Sequence, residues 1–386
     1  MNGSSAADAR AHARPALRQA RRLVVKIGSA LVVDPAEAAP RAAWLRGIAT
    51  DVAVLRARGT EVILVSSGAI ALARHSLGLT KRGLRLEEKQ AAAAVGQIRL
   101  AQSWSEALAT ENLVAAQLLL TPDDTEDRRR FLNARATLST LLGLGCVPVI
   151  NENDTVATAE IRFGDNDRLA ARVAEMTGAD QLLLLSDIDG LYTADPRTDP
   201  GAAHLPVVPQ LTAEIEAMGG APPPGYSSGG MRTKLAAARI ATGAGCAMAI
   251  ALGAQERPLR ALLEDTARCT WFLPASDGRS ARKRWIAGGL LPSGRLVVDE
   301  GAARALLGGS SLLPAGVSAV EGQFARGDLV EIADATGVVL ARGLSHYGSD
   351  DARRIRGQRS DAIEALLGWR GRDEMVHRDD LVLVLR

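Results

Sequence analysis

From Leu23 to about Leu273, short uninterrupted apolar runs alternate with longer stretches rich in Ala and Leu. The runs Leu23 to Ile27, Val62 to Ser66, Val147 to Ile150, Gln181 to Leu185 and Ala247 to Ala251 show no period-two alternation, which is the pattern of strands covered on both faces. Between them, Arg41 to Arg58, Glu87 to Ala109, Arg128 to Leu142, Arg168 to Met176 and Thr233 to Thr242 predict helices. The alternation predicts an α/β domain over residues 23–273, a three-layer αβα arrangement with a mainly parallel sheet. The segment Pro274 to Gly289 breaks the rhythm with Pro, Ser, Gly and the basic cluster Arg282-Lys283-Arg284, and predicts a solvated linker. After it, short stretches such as Arg295 to Val298, Leu329 to Ile332 and Val338 to Ala341 are separated by Gly- and Asp-containing turns. Residues 290–386 are therefore expected to form a small, mainly β module ending in a strand at Leu381 to Leu385. Met1 to Arg22, rich in Ala and Arg with Asp8 as its one acid, predicts a disordered tail.

Composition narrows the function classes. The chain has 386 residues, enough for two or three domains, and hydrophobic residues make up 47% of it while aromatics make up 3%, so the core is built from aliphatic side chains. A net charge of +2 argues against a protein devoted to coating nucleic acid or an anionic membrane. Cys146, Cys246 and Cys269 lie far apart with no C-x-x-C pair, which argues against a disulfide framework or zinc site and for a reducing compartment. No apolar run reaches the ~20 residues that span a bilayer, and the N-terminus lacks the apolar segment of a secretory signal. A cytoplasmic location is expected.

In open α/β sheets ligands bind beyond the carboxyl ends of the strands, and five loops there carry candidate chemistry. In Val24 to Ser29, Lys26 sits inside an apolar strand, where it either snorkels from an edge or reaches a partner in a cleft; Gly28 admits an anion close to the backbone. In Leu64 to Ala69, Ser67 stands at a helix start, as an N-cap or as part of an anion site. In Val149 to Asp154, Asn151 to Asp154 form either an Asx-rich turn or a grip on a polar ligand, with Asp154 suited to an ammonium group. In Phe163 to Asp167, the run Asp165-Asn166-Asp167 exceeds what a helix cap needs; its spacing is not that of an EF-hand loop, so Mg²⁺ is expected to arrive on nucleotide phosphates rather than in a protein cage. In Ser227 to Lys234, Ser228, Gly229, Gly230, Met231, Arg232 and Thr233 open a helix like a phosphate cradle, with Lys234 as a mobile charge. H-E-x-x-H, G-x-S-x-G and a usable G-x-G-x-x-G are absent, and His12, His75, His204, His346 and His377 form no cluster.

Together with Ala157 to Ile161, Ser186-Asp187 and Gly190 to Arg197, these loops resemble the amino-acid kinase family, and within it the branch that phosphorylates glutamate. The C-terminal module, with Ser311 to Val317 and Ala341 to Leu344, resembles a PUA domain. The resemblance implies ATP and Mg²⁺ as cofactors and L-glutamate as acceptor. Lys26, Ser67, Asn151, Asp154, Asp165 and Asn166 would then serve glutamate; Lys26, Ser186, Asp187 and Ser228 to Lys234 would serve ATP. Lys26 and Lys234 would flank the transferred phosphoryl group with Asp167 orienting them. Arg232 departs from the small residue usual there. The resemblance further implies a homo-oligomer (dimer or tetramer), inhibition by proline and hand-over of the acyl phosphate to a reductase. RNA binding by the PUA module is not assumed, because its charges nearly balance. Competing readings are a kinase for aspartate, acetylglutamate or a nucleotide, and an RNA-binding protein with a vestigial kinase domain.

Overall fold

The computed structural model describes residues 20–79, 83–156, 166–220, 230–274 and 291–384. The expected tail (1–22) and linker (274–289) fall almost wholly outside these residues, as do Asp165, Ser228, Gly229 and the run from Ala157 to Ile161. The chain divides into two compact units, one of residues 1–126 and 133–278, the other of residues 127–132 and 279–386.

Among the described residues the first unit is built on one eight-stranded sheet: β1 Arg22–Ile27, β2 Glu61–Ser66, β3 Ala115–Leu120, β4 Val147–Glu152, β5 Gln181–Ser186, β6 Val207–Val208, β7 Ala247–Leu252 and β8 Cys269–Phe272. Their order is β6-β8-β7-β5-β1-β2-β4-β3. Every neighbouring pair is parallel except β7 with β8. The five strands expected from apolar runs are all present. The sequence reading missed β3, whose Ala-Ala-Gln-Leu-Leu-Leu composition favours helix in isolation, and β6 and β8, which are short; pairing with a neighbour decides these segments. Helices α1 Ala42–Ala57, α2 Ala69–Arg74, α3 Leu86–Ala109, α4 Arg128–Gly143, α5 Asn166–Thr177 and α6 Met231–Gly243 connect them.

Side chains alternate across a strand, so Leu23, Val25 and Ile27 of β1 face one layer and Val24 and Lys26 the other. The first set packs with Trp44, Ile48 and Val52 of α1 and Leu100 and Trp104 of α3 in one apolar cluster. The opposite face of β1 meets α5, which packs against α6. Lys26 is thereby aimed at the α5–α6 layer. From β1 the chain winds outward through β2 to the edge strand β3, steps back to β4 and then crosses β1 to β5. The carboxyl end of β1 is thus the point where the winding reverses, the place where open α/β sheets leave a crevice.

Two glycines shape this edge. Gly68, just after β2, has φ 125°, a backbone conformation that L side chains rarely adopt, and it caps α2 without a side-chain hydrogen bond. Gly96 lets α3 lie directly on the start of α2: a Cβ there would stand 1.8 Å from the Ala69 carbonyl oxygen.

The second unit holds β9 Gly294–Val298, β10 Val317–Gly322, β11 Leu329–Ala333, β12 Val339–Leu344 and β13 Leu381–Leu383, in the order β10-β9-β11-β12-β13. The pairing is antiparallel apart from β9 with β11. Its core includes Leu296, Val330, Ile332, Tyr347, Ile355 and Met375. No helix among the described residues is long and apolar enough to cross a membrane.

Because the obstacle at Gly96 is main chain rather than a movable side chain, Gly96→Ala is expected to cost roughly 1–3 kcal/mol through overpacking. A urea midpoint equal to that of the parent would show that α2 and α3 separate freely.

Candidate active site

Three ionic side chains meet where β1, α5 and α6 converge. Lys26 Nζ lies 2.6 Å from Asp167 Oδ1, and Lys234 Nζ lies 3.1 Å from Asp167 Oδ2. The Thr233 hydroxyl donates to the same Oδ2 at 3.0 Å. All three ionic groups are buried: Lys26 is 8% exposed, Lys234 5% and Asp167 2%. Burial by itself would raise the Asp167 carboxyl, but the two ammonium groups outweigh it and hold the group below its ordinary value. One carboxylate between two ammonium groups leaves the three side chains with a net +1, in a place where isolated charge is costly. Lys234, expected to be mobile, is instead fixed by burial and by Asp167. Asp167 sits in the first turn of α5, where a carboxylate is favoured; Lys234 in the first turn of α6 works against the dipole, and the shared carboxylate offsets that.

Beside this triad runs a chain of amides. Asn166, the residue before Asp167, donates from Nδ2 to Asn151 Oδ1 at 2.9 Å and also to Ser67 Oγ. Asn151 donates from Nδ2 to Gln97 Oε1 at 2.9 Å. Ser67 is therefore a member of this network, and the helix cap behind it is Gly68. Its neighbour Ser66 accepts from the buried indole of Trp104 at 2.9 Å, which anchors the end of β2. Among the described residues Asn166 Oδ1 is buried with no hydrogen-bond partner, the state expected of an acceptor that awaits a ligand. Asn153 makes the turn after β4, taking a hydrogen bond from the Thr155 hydroxyl. Asp154 follows in that turn, half-buried, and burial pushes its carboxyl up to about 6.

At the end of β5, the Ser186 hydroxyl donates to Asp187 Oδ1 at 3.0 Å, and Asp187 pairs with Arg197 at 2.9 Å. Desolvation opposes the shift, but these hydrogen bonds and Arg197 hold the Asp187 carboxyl below its ordinary value. On α6, Met231 is half-buried and Arg232 exposed. A Cβ built on Gly230 meets nothing within 4 Å, and one on Gly28 touches only the Leu185 carbonyl at 3.9 Å. Among the described residues, nothing else crowds either backbone.

The structure thus brings Lys26, Asp167, Thr233 and Lys234 into one cluster, joined through the adjacent Asn166 to Asn151 and Ser67. Sequence reading did not find Gln97 or Trp104, and it quoted Arg197 only as the end of the run from Gly190, without a role. Gln97 and Trp104 lie on a helix far from the motif loops, and no local pattern marks them. Three of the histidines have other partners: His204 packs on Tyr192, His346 lies 3.6 Å from Asp380 and His377 caps a short turn, while His75 is exposed.

Asp167→Asn removes the shared carboxylate and leaves two buried ammonium groups, so a loss of roughly 3–5 kcal/mol is expected. Inorganic phosphate should restore part of it, read as a rise in the midpoint of thermal unfolding. A variant as stable as the parent without phosphate would contradict this charge balance.

The profile of the amino acid kinase family matches residues 21–251, and that of the PUA domain matches residues 294–367. The chain is 67% identical over 371 residues to a protein of Gluconobacter oxydans (strain 621H) named glutamate 5-kinase, covering 96% of this chain and 98% of that one. It is 62% identical over 367 residues to the protein of that name from Paramagnetospirillum magneticum (strain ATCC 700264 / AMB-1), covering 95% and 99%. A solved UMP kinase from Bacillus anthracis aligns with 67% of this chain and 97% of its own at 16% identity, with a TM-score of 0.47. Matched by the family's profile over residues 21–251 and by these relatives over nearly their whole length, the chain belongs to the amino acid kinase family.

Proposed function

We propose that this enzyme transfers the γ-phosphoryl group of ATP to the γ-carboxylate of L-glutamate, giving L-glutamyl 5-phosphate, the first step of proline biosynthesis. The observation that carries the reading is the convergence of Lys26 and Lys234 on Asp167 at the carboxyl edge of the sheet. The names of the relatives support the choice of acceptor.

The chemistry asks little of acid–base groups. A glutamate γ-carboxylate, with a free pKa of about 4.3, is already an anion at neutral pH and needs no general base. The difficulty is to bring two anions together and to neutralise charge on the phosphoryl oxygens as the transition state forms. Lys26, at the end of β1, is suited to both the acceptor side and the phosphoryl oxygens, and Lys234 to the nucleotide side. Asp167 holds both in place while cancelling one of their two charges. The positive end of α6, whose N-cap Gly230 brings no side-chain hydrogen bond, and the space beside Gly28 and Gly230 suit the phosphates. Ser186, Asp187 and the loop from Ser228 to Lys234 complete the ATP side in this reading. Mg²⁺ carried by ATP supplies further neutralisation of phosphate charge; Asp167 is already engaged by two lysines and is a poor candidate to hold it.

The acceptor's other end would meet the amide chain. Ser67 Oγ accepts from Asn166 and keeps its own proton to donate to a carboxylate. Asn166 Oδ1 can accept from the α-ammonium group, and Asp154, with Asp165, can balance its charge.

Lys234→Ala is expected to lower kcat by roughly a hundredfold or more while Asp167 remains paired with Lys26. Turnover is read as hydroxamate formed in hydroxylamine with ATP and glutamate, aspartate or acetylglutamate as acceptor. A preference for either of the last two would sink the acceptor assignment, and normal turnover in the variant would sink the mechanism.

Asp154 makes the acceptor's affinity depend on pH. Its raised value of about 6 means that the carboxylate is present at pH 7 and is lost as pH falls. KM for glutamate should therefore rise toward tenfold per unit below pH 6, where glutamate's own carboxylates, near 4 when free, are still largely ionised. In Asp154→Asn the KM should be high and flat from pH 5 to 7. A parent enzyme with a flat profile would remove Asp154 from the site.

A further inference from the structure

We infer that Gln97 is a positioning residue that fixes the amide orientation of Asn151 and Asn166, so that a carbonyl oxygen rather than an NH₂ group faces the acceptor's ammonium. The inference rests on the glutamate reading above.

A side-chain amide has a donor end and an acceptor end of almost the same shape, so which end faces a ligand is decided by its other partners. Both protons of Asn166 Nδ2 are engaged, one by Ser67 Oγ and one by Asn151 Oδ1. That leaves Oδ1, buried and without a partner among the described residues, as the free end. Ser67 does not enforce this choice, because a hydroxyl accepts or donates equally well. Asn151 enforces it only while its own carbonyl faces Asn166. If Asn151 turned over, its NH₂ would face Asn166 and call for the Asn166 carbonyl, and the NH₂ of Asn166 would then face the site.

Gln97 opposes that turn while its own carbonyl faces Asn151, as it does here. Its Oε1 accepts from Asn151 Nδ2 at 2.9 Å, and a turned Asn151 would set two oxygens against each other. The polarity is thus passed along three side chains from three separate elements, α3, β4 and α5. The contact depends on how closely α3 lies on α2, which Gly96, the preceding residue, permits. An ammonium group has three donors and no acceptor, so reversal of Asn166 would put donor against donor at the point of recognition.

Gln97 is also half-exposed and lines an open cavity of about 280 Å³ with Ala101, Gln102, Ser105, Ala115 and Gln117. A replacement of similar length has room there without repacking the core.

The test compares the parent with Gln97→Met, which removes the acceptor, and Gln97→Glu, which keeps one. Steady-state constants are measured for ATP, for glutamate and for glutarate, which lacks the ammonium group. In Gln97→Met, KM for glutamate is expected to rise about tenfold, the cost of one lost amide hydrogen bond. The preference for glutamate over glutarate should fall by a similar factor, with KM for ATP unchanged. Gln97→Glu should keep both the KM and the preference within about threefold of the parent. A Met variant with an unchanged glutamate-to-glutarate ratio overturns the inference and leaves the glutamate reading standing. So does loss of the preference in both variants, or a parallel rise in KM for ATP, since these indicate general damage to α3. A parent enzyme that does not phosphorylate glutamate overturns the glutamate reading and this inference with it.

Discussion

One carboxylate held between two ammonium groups organises the first unit of this protein. Asp167, on α5, reaches Lys26 from β1 and Lys234 from α6, so it ties together the central strand and the two helices that cover one face of it. Without it, two buried like charges would stand at the positive ends of two helices, an arrangement that electrostatics penalises twice. With it, one charge is cancelled and one remains. That residual charge creates the demand for an anionic ligand at a single point on the sheet edge, and an enzyme that must unite a nucleotide phosphate with a carboxylate needs that demand built in before either substrate arrives.

The second requirement is orientation, and here the neutral side chains matter. Ser67, Asn151, Asn166 and Gln97 form a hydrogen-bonded chain whose direction is set by which atom donates at each step. Asn166 and Asp167 are consecutive in the first turn of α5, so the amide network and the charge cluster share one helix end. A displacement of α5 would disturb both together. The close seat of α3 on α2 at Gly96 and the anchoring of Ser66 by Trp104 fix the other side of the crevice to the core. Precision at the site is therefore inherited from packing several residues away.

The C-terminal unit has its own sheet and its own apolar cluster, centred on residues such as Leu296, Ile332 and Tyr347. Its ionic pairs include Arg295 with Glu331 and Arg342 with the same Glu331. Several of its basic residues are thus engaged by acids within the unit, in keeping with the near balance of charge along the chain.

The order of apolar runs and Ala/Leu stretches determined the layered α/β class, because a buried parallel strand must be apolar on both faces and a covering helix must not. The polar residues just after those runs marked the loops at the sheet edge, and Lys26 inside a strand and Lys234 at a helix start stood out because a charge in such a position needs a reason. Local pattern could not reveal β3, whose Ala- and Leu-rich composition becomes a strand only through its pairing with β4. It also could not decide whether Ser67 capped a helix or joined a network, or whether Lys234 was mobile or buried. Gln97 carried no signal at all, because its partner Asn151 is 54 positions away. Those outcomes depend on which segments the sheet order and the close contact of α2 with α3 bring within hydrogen-bond distance, and a one-dimensional pattern of polarity does not contain that distance.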